Sequence, residues 1–151
     1  YLYYILLTSL LIVSSLIDLR YMIIPNKITY TGIVFALISS IFVNHISFIS
    51  SLLGVLIAGG ILLLIALIVK KGMGIGDVKL IAMIGAFLGW EFAMMAIFTG
   101  SLIGSIIGLI LIITGYLEDT KIAFGPYLSI GAVVMMLAGE ELINWYLNMF
   151  V

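Results

Sequence analysis

The feature that most constrains the fold of this chain is the length of its uncharged apolar runs. These runs occupy residues 1–17, 28–44, 46–69, 80–90, 92–117 and 122–139. A helix needs about 20 mostly apolar residues to cross a hydrocarbon core of roughly 30 Å. Five runs reach or approach that length, and the run 80–90 predicts either a short span or a half-helix buried among its neighbours. We therefore predict an all-α polytopic membrane protein with six transmembrane helices.

Composition supports this class and excludes several functions. Of the 151 residues, 65% are hydrophobic and 9% are charged, whereas soluble chains are roughly half apolar and about a quarter charged. The absence of cysteine excludes a disulfide framework and a thiolate metal site. A single histidine, His45, leaves zinc catalysis without ligands, so no metal is predicted. No basic run suggests nucleic acid as a partner, and no linker or repeat divides residues 1–151, which we predict to be one domain.

The charges predict how the helices are oriented. With six spans, all the basic residues fall on one side, which the positive-inside rule makes cytoplasmic. These residues are Arg20, Lys27, Lys70, Lys71, Lys79 and Lys121. Interfacial Trp90 and Trp145 and the Glu140–Glu141 pair fall on the opposite side. The sequence thus predicts a multi-pass protein of the cell membrane, with both termini on the non-cytoplasmic side.

Two aspartates are the candidates for chemistry. Asp18 ends the first apolar run and Asp77 opens the fourth helix, so both lie at cytoplasmic helix ends and can be neighbours. A carboxyl inside a membrane costs about 2.5–3.5 kcal/mol on insertion scales, which makes it a functional candidate. Two close carboxyls titrate as a unit, with one protonated and the other ionised. An aspartic protease uses such a pair: the carboxylate takes a proton from water, and the acid polarises the scissile carbonyl.

Each aspartate also has a purely structural interpretation. Asp77 is a favoured residue type for the N-cap of the fourth helix, and Asp18 is close enough in sequence to pair with Arg20. Their common side, next to the only Gly-x-Gly-x-Gly-Asp stretch, favours the catalytic interpretation.

The segments around the two aspartates supply candidate supporting residues. Gly72, Gly74 and Gly76 predict a flexible loop whose backbone adopts conformations closed to other residues and lets a substrate lie close. Lys79 is interpreted first as a topology signal, although an inward ammonium would favour the charged form of a nearby aspartate. Two further motifs border the same rim: Pro25–Asn26 before the second helix, and Gly125–Pro126 at the start of the last helix.

Four segments together resemble one known family. The segment "GIGD" at 74–77 resembles the Gly-x-Gly-Asp signature of the type IV prepilin peptidases and the archaeal preflagellin peptidases. The segment "DLRYMIIPN" at 18–26 resembles their first catalytic segment, and "GDVKLIAMIGAFLGW" at 76–90 resembles the bacterial form of the second. The segment "FGPYLSIGA" at 124–132 resembles their last-helix motif.

The resemblance implies a membrane aspartic endopeptidase with six core helices. Such enzymes cut the leader from a prepilin or pilin-like precursor at the cytoplasmic face, just before the hydrophobic helix of the precursor. Asp18 and Asp77 map onto the two catalytic aspartates. The implied partners are the precursor protein and the lipid bilayer.

Full-length bacterial members differ from this sequence in two respects. They carry an additional cytoplasmic segment with paired cysteines, and they methylate the new N-terminal residue with S-adenosylmethionine. This sequence contains neither that segment nor a recognisable methyl-donor site, so we expect a short form or an excised core. No cofactor is predicted, and N-methylation is left open.

Two other functions remain as alternatives. A small ion- or proton-coupled transporter could use Asp18 and Asp77 as a relay, but it predicts acids spread through the membrane depth. A non-catalytic scaffold of a secretion apparatus would leave the paired acids and the glycine-rich stretch unexplained.

Overall fold

In a computed structural model, the protein is helical in all the regular elements of the described residues, which are 2–42, 46–69, 73–115 and 122–150. The five helices are α1 (Leu2–Tyr21), α2 (Asn26–Phe42), α3 (Phe48–Ile68), α4 (Ile75–Ile113) and α5 (Gly125–Phe150). No strand occurs within these ranges, which confirms the all-α prediction. Five of the residues discussed above lie outside the described ranges: His45, Lys70, Lys71, Gly72 and Lys121.

The two proline motifs mark helix starts, as predicted. Pro25 immediately precedes α2, and its carbonyl accepts hydrogen bonds from the N–H groups of Ile28 and Thr29. Pro126 is the second residue of α5, a position where the fixed φ of proline suits a helix and its missing N–H is not needed.

The longest helix, α4, is divided at Gly89. This residue has φ 85° and ψ 170° in the middle of a 39-residue element, a conformation that is essentially restricted to glycine. The predicted fourth and fifth helices are thus the two arms of α4, at 75–88 and 90–113. The described chain thus contains six helical segments in five continuous elements, because α4 contributes two segments joined at Gly89.

Contacts at the two ends of α4 indicate that its arms fold back on each other. A straight helix of that length would extend about 58 Å at 1.5 Å per residue. Gly76, near the start, contacts Ile24, which also contacts Gly125. Gly108, near the other end, contacts Ile122, only three residues before Gly125. Both ends of α4 therefore lie beside the start of α5, and the chain reverses direction at Gly89.

The same contacts define two ends of the helix bundle. We call the end that carries Asp18, Ile24, Gly76 and Gly125 the aspartate end. At the opposite, distal end, Phe92 contacts Gly139, and the ring centroids of Tyr3 and Phe87 are 4.8 Å apart. Each helix or arm runs between these two ends.

The first arm of α4 is the centre of the protein. Between residues 77 and 89, every side chain except Lys79 is buried, in agreement with the prediction of a half-helix buried among its neighbours. Helix α3 packs closely against this arm, because Gly54 faces the backbone of Gly85 without any intervening side chain. The Ser51 hydroxyl donates a hydrogen bond of 2.6 Å to the carbonyl of Ala86.

The outer surface is strongly apolar, as expected for a multi-pass membrane protein. Four helices of the described chain are long and apolar enough to cross a membrane: α1, α3, α4 and the Gly125–Trp145 part of α5. Helix α2 is also apolar, but it is shorter. Six spans and the orientation of the termini stay predictions from the sequence.

Candidate active site

Asp18 lies in the last turn of α1 with its side chain only 5% exposed. Its Oδ2 atom accepts a hydrogen bond of 3.0 Å from the backbone N–H of Gly125, the first residue of α5. The first N–H groups of a helix have no partner within the helix, and negative charge there is favourable. Asp18 therefore anchors the start of α5 to the end of α1.

The alternative interpretation of Asp18, an ion pair with Arg20, is not supported by the structure. Arg20 is exposed at the end of α1, and no ion pair joins the two residues in the described part of the chain. Burial turns Asp18 toward α5, whereas Arg20, two positions further along the helix, points to another face.

Asp77 lies at the third position of α4, with its side chain 7% exposed. Its Oδ2 atom accepts a hydrogen bond of 3.2 Å from the N–H of Gly74, which is the N-cap residue. The alternative interpretation of Asp77 as the N-cap is thus wrong by three positions, although its carboxyl does serve in capping. Because Gly74 has no side chain, only one half of a capping box is present, the bond from the N-cap N–H to the side chain of the third helical residue.

Each aspartate uses only one of its two carboxyl oxygens in a hydrogen bond to another described residue. The Oδ1 atoms of Asp18 and Asp77 make no hydrogen bond to any other described residue. Each carboxyl is therefore oriented by one backbone N–H, and its second oxygen has no hydrogen-bond partner among the described residues.

The two carboxyls lie at the same end of the bundle, close enough to interact electrostatically. Like charges at short range disfavour simultaneous ionisation. A carboxyl pair with one protonated and one ionised member is one arrangement that suits general acid–base chemistry.

Ile24 fills the space between the segments that carry the two aspartates, and sequence reasoning missed it. A Cβ atom added at Gly76 would lie 3.1 Å from Ile24 Cβ, and one added at Gly125 would lie 3.1 Å from Ile24 Cδ1. Only glycine leaves room for this side chain at both positions. One feature of the sequence could have pointed to Ile24: it is an apolar residue directly before Pro25, in a short turn next to a charged segment.

The predicted glycine loop is different in the structure. Gly74 has φ −80° and ψ 145°, and Gly76 is already helical. Neither residue uses the left-handed region, so the predicted special backbone conformation is wrong for these two glycines. Gly76 permits close approach of Ile24, and close approach of a substrate to this segment stays a prediction. Gly72 lies outside the described residues.

The other predicted supporting residues lie at the same end of the bundle. The Lys79 ammonium donates a hydrogen bond of 2.7 Å to Asn26 Oδ1 rather than contacting either aspartate. Pro126 is buried and lines an apolar groove of about 350 Å³ between α1 and α5, next to the Asp18–Gly125 hydrogen bond. No group of three metal-binding side chains occurs within the residues that the structure describes.

Comparison with known proteins identifies the class. The model of the type IV leader peptidase family matches residues 5–109, a range that includes both aspartates and both arms of α4 almost completely. The chain therefore belongs to the type IV leader peptidase family, and the resemblance found in the sequence is confirmed.

Individual relatives agree with this assignment. The prepilin leader peptidase/N-methyltransferase of Aeromonas hydrophila is 32% identical over 151 residues, covering 96% of this chain and 52% of that protein. Proteins of the same name from Legionella pneumophila (35% over 148 residues) and Bacillus subtilis (33% over 142 residues) cover 92% and 93% of this chain. These two matches cover 50% and 57% of the relatives. The chain thus spans about half the length of the curated relatives it matches. No solved structure matches it significantly.

Proposed function

We propose that this protein is a membrane aspartic endopeptidase that removes the leader peptide from type IV prepilin or pilin-like precursors. The observation that carries this proposal is the pair of buried aspartates, which come from different helices and each keep one free carboxyl oxygen. Membership of the leader peptidase family supports the substrate class. Residues 1–151 would act as one peptidase domain. The relatives are named as both peptidases and N-methyltransferases, and we propose only the peptidase activity for this chain.

The chemistry follows from a carboxyl pair that holds a single proton. The ionised carboxylate takes a proton from water as the water oxygen attacks the scissile carbonyl carbon, while the protonated carboxyl donates a hydrogen bond to the carbonyl oxygen. The proton then passes to the leaving nitrogen as the C–N bond breaks. Backbone N–H groups of Gly125 and Gly74 would hold the two carboxyls in place without neutralising their free oxygens.

The position of the pair at one end of the bundle suits a substrate that is itself embedded in the membrane. The hydrophobic helix of the precursor would remain in the bilayer while its leader reaches Asp18 and Asp77 from the side. The positive-inside rule makes this end cytoplasmic, so we propose that cleavage occurs at the cytoplasmic face of the cell membrane.

Cleavage of a purified prepilin in detergent tests the proposal. We expect the wild type to cut at the leader junction, and Asp18→Asn and Asp77→Asn each to lower the rate by about 10²–10⁴-fold, the usual contribution of general acid–base groups. Asparagine has the same shape as aspartate but cannot exchange the proton. Glu91→Gln is the matched control, because Glu91 is an exposed carboxyl at the distal end, and it should cleave at the wild-type rate.

Two outcomes would contradict the proposal. Folded Asp18→Asn or Asp77→Asn protein that still cuts at the wild-type rate would exclude the aspartate pair as the catalyst. A folded wild type that cuts none of several pilin-like precursors would refute the peptidase activity itself. Proton or ion flux in liposomes would then test the alternative function of a small transporter.

A further inference from the structure

Lys79 is a charged residue in the buried first arm of α4, and its partners are both on α2. Its Nζ atom donates a hydrogen bond of 2.7 Å to Asn26 Oδ1. The same atom lies 5.4 Å from the centroid of the Tyr30 ring, within the range of a cation–π interaction. Because Asn26 and Tyr30 are four residues apart, they share one face of α2. Lys79 therefore joins the start of α4 to the start of α2.

The Lys79 ammonium makes these contacts outside its own helix. Lys79 lies in the second turn of α4, only two residues after Asp77. The charge-assisted hydrogen bond and the facing aromatic ring both favour a cation at this position. Lys79 therefore stabilises the contact between the start of α4 and the start of α2.

The contact between Lys79 and α2 matters because α1 and α4, the helices that bear the aspartates, are connected mainly through other helices. Helix α1 packs against α5 and α2, whereas α4 packs against α3, α5 and α2. At the aspartate end, α2 and its preceding turn meet α4 at two points: Ile24 against Gly76, and Asn26 with Lys79.

The turn between α1 and α2 connects the Lys79–Asn26 contact to Asp18. The carbonyl of Asp18 accepts a hydrogen bond of 2.8 Å from the N–H of Met22, whose φ of 53° ends α1, and Asn26 follows at the start of α2. Lys79 lies only two residues after Asp77 in α4. The Lys79–Asn26 hydrogen bond therefore closes a short path between the two aspartates.

We propose that Lys79 is a positioning residue, whose hydrogen bond to Asn26 holds Asp77 at the separation from Asp18 that catalysis requires. The proposal rests on the proposed peptidase function. In it, Lys79 acts through Asn26 and touches neither the substrate nor the carboxyls.

A double-mutant cycle on prepilin cleavage tests this role. We expect Lys79→Met and Asn26→Leu each to lower kcat by about tenfold to a hundredfold, the effect of a small misplacement of catalytic groups. We expect KM to stay within about twofold of wild type, because substrate binding is not affected. The double variant should be no slower than the slower single variant, since both changes remove the same hydrogen bond. Asn26→Asp retains an acceptor oxygen, so it should restore most of the kcat that Asn26→Leu loses.

Lys27→Met is the matched control. Lys27 is exposed, lies in the same first turn of α2 and makes no side-chain contact to α4 in the described residues. It should leave kcat and KM unchanged. Thermal unfolding in detergent should verify that all variants are folded; if Lys79→Met is not recovered, Asn26→Leu and Asn26→Asp test the same hydrogen bond from its other side.

The outcomes separate this inference from the proposed function. Unchanged kcat in folded Lys79→Met and Asn26→Leu would overturn the inference while wild-type cleavage stands. A higher KM for Lys79→Met alone would also overturn it, because Lys79 would then contact the substrate directly. Additive losses in the double variant would show that the two residues act independently, which equally contradicts the proposal. A wild type without any cleavage would refute the peptidase function instead.

Discussion

At the scale of single residues, Asp18 and Asp77 each have a structural role besides their proposed chemistry. Each gives one oxygen to a backbone N–H at a helix start, Gly125 for α5 and Gly74 for α4. This explains how two carboxyls can be held in fixed orientation inside an apolar protein. It also means that a small change near either N–H should disturb catalysis before it disturbs the fold.

Gly125→Ala should reveal this dependence. An added Cβ would lie 2.7 Å from Asp18 Oδ2, too close for either group to stay in place. We expect cleavage to slow by about tenfold to a hundredfold because Asp18 is displaced, and stability to fall by about 1–3 kcal/mol from overpacking. Kinetics and thermal unfolding of the same detergent preparation measure both.

Gly60→Ala is the control for this substitution, because a Cβ at Gly60 has no neighbouring atom within 4 Å. It should leave the rate unchanged and should not lower the unfolding temperature. Wild-type kinetics in folded Gly125→Ala would show that the position of Asp18 is not critical.

The sequence predicted the residues of the site better than their contacts. Asp18 and Asp77 could be selected because an acid at the membrane-embedded end of an apolar run is chemically conspicuous. The hydrogen bond from Gly125 joins positions 107 residues apart, and the contact of Ile24 with two glycines depends on how three segments pack. Neither leaves a periodic or compositional signal, so tertiary packing was needed to see them.

At the scale of secondary-structure elements, α4 contains the decisive feature, the reversal at Gly89. Hydropathy predicted a boundary near Glu91, because the charge interrupts two apolar runs. The chain turns two residues earlier, since reversal depends on backbone geometry that only glycine adopts at low energy. The sequence therefore predicted that two helical segments meet here. Hydropathy placed the boundary at the charged Glu91, whereas the backbone conformation of Gly89 sets it.

Gly89→Ala should destabilise the protein by about 1–3 kcal/mol, the usual strain of a side chain in this backbone region. The added Cβ would also lie 2.7 Å from Ser50 Oγ. Unfolding by denaturant in detergent measures the change. In the same assay, Gly60→Ala should be neutral or stabilising by up to about 1 kcal/mol, because Gly60 lies inside α3 and alanine favours helices. Equal free energies of unfolding for Gly89→Ala and Gly60→Ala would show that position 89 accepts a side chain without strain, which contradicts this prediction.

At the scale of the whole molecule, the open question is which end of the bundle faces the cytoplasm. Lys27 marks the aspartate end, and Glu141 lies beside the distal end in α5; both side chains are exposed. The described basic residues Arg20, Lys27 and Lys79 all lie toward the aspartate end, which is the distribution that the positive-inside rule associates with the cytoplasm.

Cysteine labelling can decide the orientation directly, because the chain has no cysteine of its own. A membrane-impermeant maleimide added to intact cells should label Glu141→Cys. It should label Lys27→Cys only after the cells are opened. The reverse pattern would place Asp18 and Asp77 on the outer face and contradict cleavage in the cytoplasm.

The link between Asp18 and Gly125 also has a consequence for biosynthesis. A ribosome makes α1 before α5, so Asp18 enters the membrane while the N–H group that orients it has not yet been translated. All the intervening helices must be made before Gly125 arrives and the carboxyl acquires its backbone donor. An interrupted translation product that ends before α5 therefore lacks an assembled site, so unfinished chains would not cut the precursors inserted beside them.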